Sequence, residues 1–497
     1  MLNKFSYVRG TKIVLGMGVL LALIQYFSGR SIWLDEAKIA LNILDRSYLG
    51  LLEPLHSNQV APILFLWAER FFGDLFGIND MSLRLFPLLA YLASTFLLYK
   101  LLKLLTPSAK LWFIAATLFA FCQPMIYFAS EVKQYMVDVC VMLLLLYLVL
   151  RPFQSETRKM LVLSVVGVLS IGFSNVAIIA LFTVGLYGWF TTYKNEEVFW
   201  NRYLIPIGCW LFAFAAYYFK FIAGHPNRAL MMPFWEFAFM PSNPFSAAFW
   251  QWNFESYQMT FGKIMGANPK IPLLYHMYGV AYVVGVFAFA KARKFKILFL
   301  LTFPIITHLA LSMLELYPYA RRTAFYVQPL IAVICAKGFL VIIQGILWRL
   351  KWRSIGFAYL GPGICLLAIT LYTFPKERQA FKRSYTFMQT LLVPTDVILL
   401  NGATDNAWEY YERTDYINIP NKVIYTGQHS YDFDSHNAGL DTLKGRVWLF
   451  FSHDHTDREK YHMLESDYMI NYMKTKGKLL DSKRDIATGA FLFEMGQ

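Results

Sequence analysis

Residues 11–40 read TKIVLGMGVLLALIQYFSGRSIWLDEAKIA. The run 11–28 is apolar and long enough to cross a hydrocarbon core as a helix. A Gly29-Arg30 loop follows. Two adjacent acids, Asp35 and Glu36, then open a stretch with helical apolar spacing. An acidic pair at a bilayer surface points to chemistry done at the membrane face. The local alternative is a helix start, where a carboxylate satisfies unpaired N–H groups and meets the positive end of the helix dipole. The two readings are compatible, because an acid held at a helix start is well placed to act as a base.

The whole chain supports a membrane setting. Of its 497 residues, 57% are hydrophobic, 18% aromatic and 16% charged, whereas a soluble domain carries about 25% charge. Eleven apolar runs, near residues 11–28, 82–104, 110–128, 134–150, 160–173, 175–191, 203–222, 273–290, 296–314, 324–347 and 355–374, predict a polytopic α-helical membrane protein. The first run reads as a span and not a secretory signal, since no small-residue cleavage site follows it and further spans do. The run 160–173 is short enough to be tilted or re-entrant.

Charge sets the orientation. The net charge is +14; residues 376–497 hold 15 Lys/Arg against 17 Asp/Glu, so the membrane part holds 31 basic against 15 acidic residues. Lys and Arg collect on alternate loops, around residues 4–12, 100–110, 151–159, 194–202, 291–296 and 349–353. The opposite short loops hold only Lys133 and the pair Arg321 and Arg322. The bias fits cytoplasmic placement of positive loops, and not nucleic-acid binding. It puts the N-terminus in the cytoplasm, and loops 29–81 and 223–272 and the whole tail outside. The cysteines Cys122, Cys140, Cys209, Cys335 and Cys365 all lie in apolar runs and read as small buried hydrophobes.

Within loop 29–81, Glu36 to Tyr48 and Val60 to Phe72 have the pattern of helices lying in the interface, apolar face down. After Pro375 the character changes. Residues 397–400, 422–426 and 446–451 read as short buried strands, 405–413 and 457–476 as helices, and the end as a hairpin. The expected domains are therefore 1–375, transmembrane, and 376–497, a small outer α/β domain. That domain shows no Gly-rich phosphate loop. Its His429, His436, His453, His455 and His462 lack metal-ligand spacing, and the His-Asp-His at 453–455 reads as a solvated loop sooner than a metal site. Its role is acceptor recognition or packing.

Three more places carry candidate chemistry. Glu131 lies in a short turn between two spans, where a carboxylate beside lipid needs a partner or a watery cavity; Lys133 is the plain salt partner. Arg321 and Arg322 interrupt two apolar runs against the orientation bias. A guanidinium pair suits a phosphate, and the plain alternative is snorkelling. His56, Asn58 and Gln59 either bond sugar hydroxyls or face water. Arg84 reads as structural. Acids from two loops and arginines from a third fit glycosyl transfer from a lipid phosphate.

The order of these pieces resembles the GT-C superfamily of membrane glycosyltransferases, in particular the bacterial branch related to protein O-mannosyltransferases and the aminoarabinose transferase of lipid A. WLDEA (33–37) is similar to the acidic motif of that family's first outer loop. QVAPILFLWAERFFG (59–73) with SLRLFPLL (82–89) is similar to its Pro-Pro-Leu to Ser-x-Arg-Leu-Pro pattern, with Ala61-Pro62 where a double proline is usual. YFASEVKQYM (127–136) is similar to its second acidic loop, with Lys133 where arginine is usual. YPYARRTAFYVQP (317–329) is similar to its late Tyr-Pro to Arg to Pro segment. The resemblance spans residues 1–375. It implies an inverting transfer from a polyprenyl-phosphate sugar to a lipid, glycan or protein acceptor at the outer face of the bacterial inner membrane. Asp35 is then the catalytic base and Glu131 the second catalytic acid, near the donor. Arg321 or Arg322 binds the lipid-linked phosphate. Glu36, His56, Gln59, Lys133 and Tyr135 are the remaining substrate-binding candidates. Metal need varies in that superfamily, so no cofactor is assigned and a divalent cation on the acids stays open. The competing class is a transporter or flippase of lipid-linked sugars, which predicts paired repeats with broken helices at the midplane; the sequence shows no internal repeat. A non-catalytic scaffold using the tail as a binding module is the third reading.

Overall fold

The computed structural model describes residues 4–192, 200–226, 228–267, 271–349, 356–372, 374–401, 403–426, 440–454 and 462–496. The chain divides into two units that interleave in sequence. The first comprises residues 1–27, 51–71 and 84–375, and the second residues 28–50, 72–83 and 376–497.

The first unit is helical. The eleven apolar runs fall on helical segments, one of them on two α-helices. Among the described residues six helical stretches are long and apolar enough to cross a membrane: Ser6–Phe27, Ser82–Leu105, Arg202–Phe221, Pro272–Lys291, Phe295–Met313 and Phe325–Arg349. Ala109–Ala120, Tyr135–Leu150, Ala177–Thr192 and Gly361–Tyr372 are shorter apolar helices. The run 160–173 sits in a longer helix, Glu156–Phe173, whose start Ser155 caps by accepting from the Arg158 N–H. The run 110–128 is broken into Ala109–Ala120 and Gln123–Phe128. Pro124 sits in the first turn of the second piece, where it lacks the N–H that would continue the upstream ladder.

Ala109–Ala120 is buried at nearly every position and Tyr135–Leu150 at most. Helices at the edge, such as Ile205–Phe221, bury only Pro206 and Trp210 and turn Phe212 and Phe219 outward. Apolar side chains on the outside are what a lipid solvent permits. Close approach is made by small residues. A Cβ added at Gly285 would lie 2.0 Å from the Ile334 carbonyl oxygen, and one at Gly338 would lie 1.8 Å from that of Ala281. The helices Pro272–Lys291 and Gln328–Arg349 therefore meet backbone to backbone at two points.

The second unit is built on a five-stranded sheet, β1 (Val397–Asn401), β2 (Lys422–Thr426), β3 (Gly445–Ser452), β4 (Gly477–Asp485) and β5 (Thr488–Met495), in the order β2-β1-β3-β5-β4. β1 runs parallel to β2 and β3, and β5 antiparallel to β3 and β4. Val447, Leu449 and Phe451 pack on one face with Met469 and Met473 of the helix Glu465–Lys476. Trp448 and Phe450 pack on the other with Phe387, Phe381 and Trp408. Burial on both faces explains why the strand reads as an unbroken apolar run. The expected helix over 457–476 begins at Glu465, with residues 455–461 outside the described set. A helix absent from the sequence expectations, Phe381–Leu391, covers part of the second face.

The segment Leu34–Asp45 is a helix of this unit. It buries Ala37, Ile39, Ala40 and Ile43 and packs on the helix Asp405–Arg413. The stripe expected to lie on the bilayer is thus covered by protein, because its periodicity reports an apolar face and not what covers it.

Gly338→Ala should lower the thermal midpoint of the detergent-solubilised protein, at a cost of about 1–3 kcal/mol from overpacking. Gly345→Ala, on the same helix with nothing within 4 Å of the added Cβ, should leave the midpoint unchanged or raise it. Equal midpoints for the two variants would contradict backbone contact at Gly338.

Candidate functional site

In the first unit three loops converge. Ser57 and Asn58 both take left-handed backbone angles (φ 57° and 54°), a conformation rare outside glycine. They reverse the chain so that Gln59 turns inward, and its side-chain carbonyl accepts from Lys133 Nζ at 2.6 Å. Glu131 is fully buried and Lys133 nearly so. Both follow the short helix Gln123–Phe128, whose last ring organises the neighbourhood. Phe128 packs edge-on against Tyr135 (5.2 Å) and Phe325 (4.6 Å), and the Arg321 guanidinium lies 5.9 Å from its centroid. Phe128 thus gathers Tyr135, Phe325 and Arg321, and Gln59 meets Lys133. Arg322 is half-buried beside Arg321, and His56 is exposed.

The arginine loop is held by a residue that sequence reasoning missed. His308, buried in Phe295–Met313, donates from Nε2 to the Pro318 carbonyl (3.1 Å), and its Nδ1 meets the Tyr326 hydroxyl (3.1 Å). A histidine inside an apolar run was its only signal. The Tyr319 hydroxyl adds a bond to Thr260 (3.0 Å).

Beside this cluster lies a cavity of about 830 Å³. Most of its wall is apolar, including Leu66, Ile179, Phe182 and Phe214, and Gln59, Asn175, His225 and Tyr317 supply polar groups. Gln59 therefore belongs both to the wall and to the Lys133 contact. Ser174, also on the wall, donates to the buried Asp138 carboxylate at 2.6 Å. Asp138 was not singled out from sequence because it sits inside the apolar run 134–150. Burial, reinforced by the Asp138 charge, holds the Tyr317 phenol well above its ordinary value, so it stays a proton donor. Partial burial lowers the His225 imidazole, which keeps it neutral at pH 7.

Asp35 and Glu36 belong to the second unit. Gly29 takes a left-handed angle (φ 64°) and turns the chain from the first helix. The helix Leu34–Asp45 makes Asp35 its second residue and Glu36 its third, with Trp33 as the capping residue. Asp35 is half-buried. Glu36 is fully buried and paired in a fork with Arg30, at 2.8 and 2.9 Å, and it also accepts from the Trp33 N–H (3.3 Å). Glu36, expected among the substrate-binding side chains, has both carboxylate oxygens on Arg30 at the start of its own helix. The sequence showed two adjacent acids but not that Arg30 reaches one of them.

Among the described residues, no group of three or more His, Cys, Asp or Glu side chains is arranged to hold a metal ion. His429, His436 and His455 lie outside the described residues, and the His453 ring is bonded to Gln379 (2.7 Å).

Membrane-length helices together with a small α/β unit make a fold that solved structures of ArnT share. ArnT from Cupriavidus metallidurans in the apo state is 12% identical, with 96% of this chain and 97% of that one covered at a TM-score of 0.53. The same protein bound to undecaprenyl phosphate is 12% identical over the same shares, at a TM-score of 0.52. No protein-family model and no curated protein matches the chain.

Glu36→Ala should cost about 3–5 kcal/mol, since it leaves the Arg30 charge buried without its carboxylate. The double replacement Arg30→Met with Glu36→Leu should recover most of that. Thermal melts of the purified variants decide it, and a single variant as stable as the parent would show that the pair is dispensable.

Proposed function

We propose that this chain is a glycosyltransferase of the bacterial inner membrane, moving one sugar from a polyprenyl-phosphate donor to an acceptor hydroxyl on the periplasmic side. Its N-terminus then lies in the cytoplasm and its tail in the periplasm. The observation that carries the reading is the cavity, apolar along most of its wall and bounded by Gln59, the partner of the buried Lys133 ammonium. Support comes from the fold, shared with a protein whose structure holds undecaprenyl phosphate. A prenyl chain suits the apolar wall. A phosphate suits Lys133 and the guanidinium groups of Arg321 and Arg322.

In this reading Asp35 is the base. Its carboxylate takes the proton of the acceptor hydroxyl, and the freed oxygen attacks the anomeric carbon opposite the phosphate. The bond from that carbon to the phosphate oxygen breaks, and polyprenyl phosphate leaves with the electron pair. A single displacement inverts the anomeric configuration. Lys133 and Arg321 offset the negative charge growing on the leaving phosphate, in surroundings where such stabilisation is strong. Glu131 orients the donor beside them. The acceptor is a hydroxyl of a lipid, a glycan or a protein.

Asp35→Asn should lower transfer by about 10²-fold or more while the protein still inserts and melts as the parent does. Parental turnover in that variant would end the assignment of Asp35 as base. Lys133→Ala should raise the KM for the donor, by about tenfold for one lost charge-assisted contact. Both are read as free polyprenyl phosphate released in proteoliposomes from sugar lipids extracted from the strain that carries the chain. The same readout separates transfer from transport of the donor, a reading favoured by the buried Asp138 inside a membrane helix. Transport would leave the donor intact.

A further inference from the structure

The tail domain has no role in the scheme above, yet its side chains reach the segment that carries Asp35. Between Gly29 and the first turn of the helix Leu34–Asp45 the chain is extended. The N–H groups of Ser31, Ile32, Trp33 and Leu34 each go to a side-chain acceptor. Ser31 donates to Glu377 Oε1 (2.9 Å), Ile32 to the Tyr411 hydroxyl (2.6 Å), Trp33 to Glu36 Oε2 (3.3 Å) and Leu34 to Gln379 Oε1 (3.0 Å). Three of these four acceptors come from beyond residue 375. The tail adds two more ties. The Lys382 N–H donates to Ser31 Oγ (3.0 Å), and the Arg378 guanidinium sits 4.2 Å from the Trp33 ring centroid. Asp35 is the next residue after this run.

Gln379 is the centre of the arrangement. It is almost fully buried. While its oxygen takes the Leu34 N–H, it also accepts from Ser452 Oγ (3.3 Å), and its amide nitrogen meets His453 Nδ1 (2.7 Å). Ser452 ends β3 at the carboxyl edge of the parallel strands, with β1 alongside. β1 connects to β2 on one side and pairs β3 on the other. That is the switch point where open α/β sheets hold their ligands. Here the same edge holds the Leu34 amide.

An apolar patch can anchor a segment, but it leaves peptide planes free to rock. Directed bonds to successive N–H groups fix them, and with them the direction in which the next side chain leaves the backbone. We propose that the tail domain is the positioning element for Asp35, with Gln379, Tyr411 and Glu377 as its positioning residues. This rests on the reading of Asp35 as base.

The test uses the full chain in proteoliposomes with the extracted sugar lipids, and compares Gln379→Leu, Gln379→Glu, Tyr411→Phe and Asp35→Asn. Gln379→Leu removes the acceptor for the Leu34 N–H. It should lower kcat about 10–100-fold, the scale of an ångström-sized misplacement, with KM for donor and acceptor unchanged within about twofold. Gln379→Glu keeps an oxygen in place and should restore most of that kcat. Amide hydrogen exchange over residues 30–36 should rise in the leucine variant and stay near the parent in the glutamate variant. If Gln379→Leu does not accumulate as folded protein, Tyr411→Phe makes the same comparison by deleting one oxygen. A raised acceptor KM with kcat intact would overturn the proposal in favour of acceptor recognition by the tail. So would raised exchange with unchanged kcat. The two readings fail separately. Turnover retained in Asp35→Asn removes the base assignment and this proposal with it. Loss in Asp35→Asn without loss in Gln379→Leu removes positioning alone.

Discussion

Charge and polar main chain that leave water must find partners, and both units are organised around that demand. In the second unit, Arg30 and Glu36 close a buried fork at the start of the helix Leu34–Asp45. Asp396, buried before β1, takes bonds from Arg446 and from the Trp448 indole. In the first unit, Lys133 is held by Gln59, Asp138 by Ser174, and the Pro318 carbonyl by His308. Apolar packing builds the helices and the sheet, but these directed contacts decide where individual side chains stop. Removing one partner leaves the other in a medium that solvates it poorly, so each pair is far harder to break than to replace as a whole.

What was legible in the sequence was periodic. Apolar runs located the helices of the first unit, and short β-rich runs located β1, β2 and β3 within a residue or so, because both signals are local. The helix Phe381–Leu391 escaped notice because its apolar stripe, Phe381, Tyr385 and Met388, runs for only three turns. The break in the run 110–128 was signalled by Pro124. Its consequence, a short helix ending at Phe128, depends on packing against Phe325 from a loop almost two hundred residues away.

Partner choice was the illegible part. Asp35 and Glu36 look alike in sequence, and the structure separates them completely. Glu36 has both oxygens on Arg30, while Asp35 stays half-buried one position earlier on the helix. Likewise Lys133 donates to Gln59, seventy-four positions upstream. No spacing rule predicts such a pairing, since it is set by where a left-handed turn at Ser57 and Asn58 delivers a loop. Residue type does not reveal which of two adjacent acids has an arginine partner.

The bond from Lys133 to a neutral amide bears on the proposed phosphate site. The Gln59 carbonyl satisfies one of the three ammonium donors and adds no negative charge at that contact. Arg321 is held in a comparable way, over the face of Phe128, where a ring quadrupole steadies the guanidinium without neutralising it. The two cations also divide the task by geometry. Lysine is a compact point charge, and arginine a planar fork that matches two phosphate oxygens at once. Close to an apolar cavity, where the effective dielectric is low, a cation attracts an anionic group more strongly than it would in water. The prenyl chain of the proposed donor would need no specificity from the apolar wall, because a hydrocarbon gains from burial along any surface of that character.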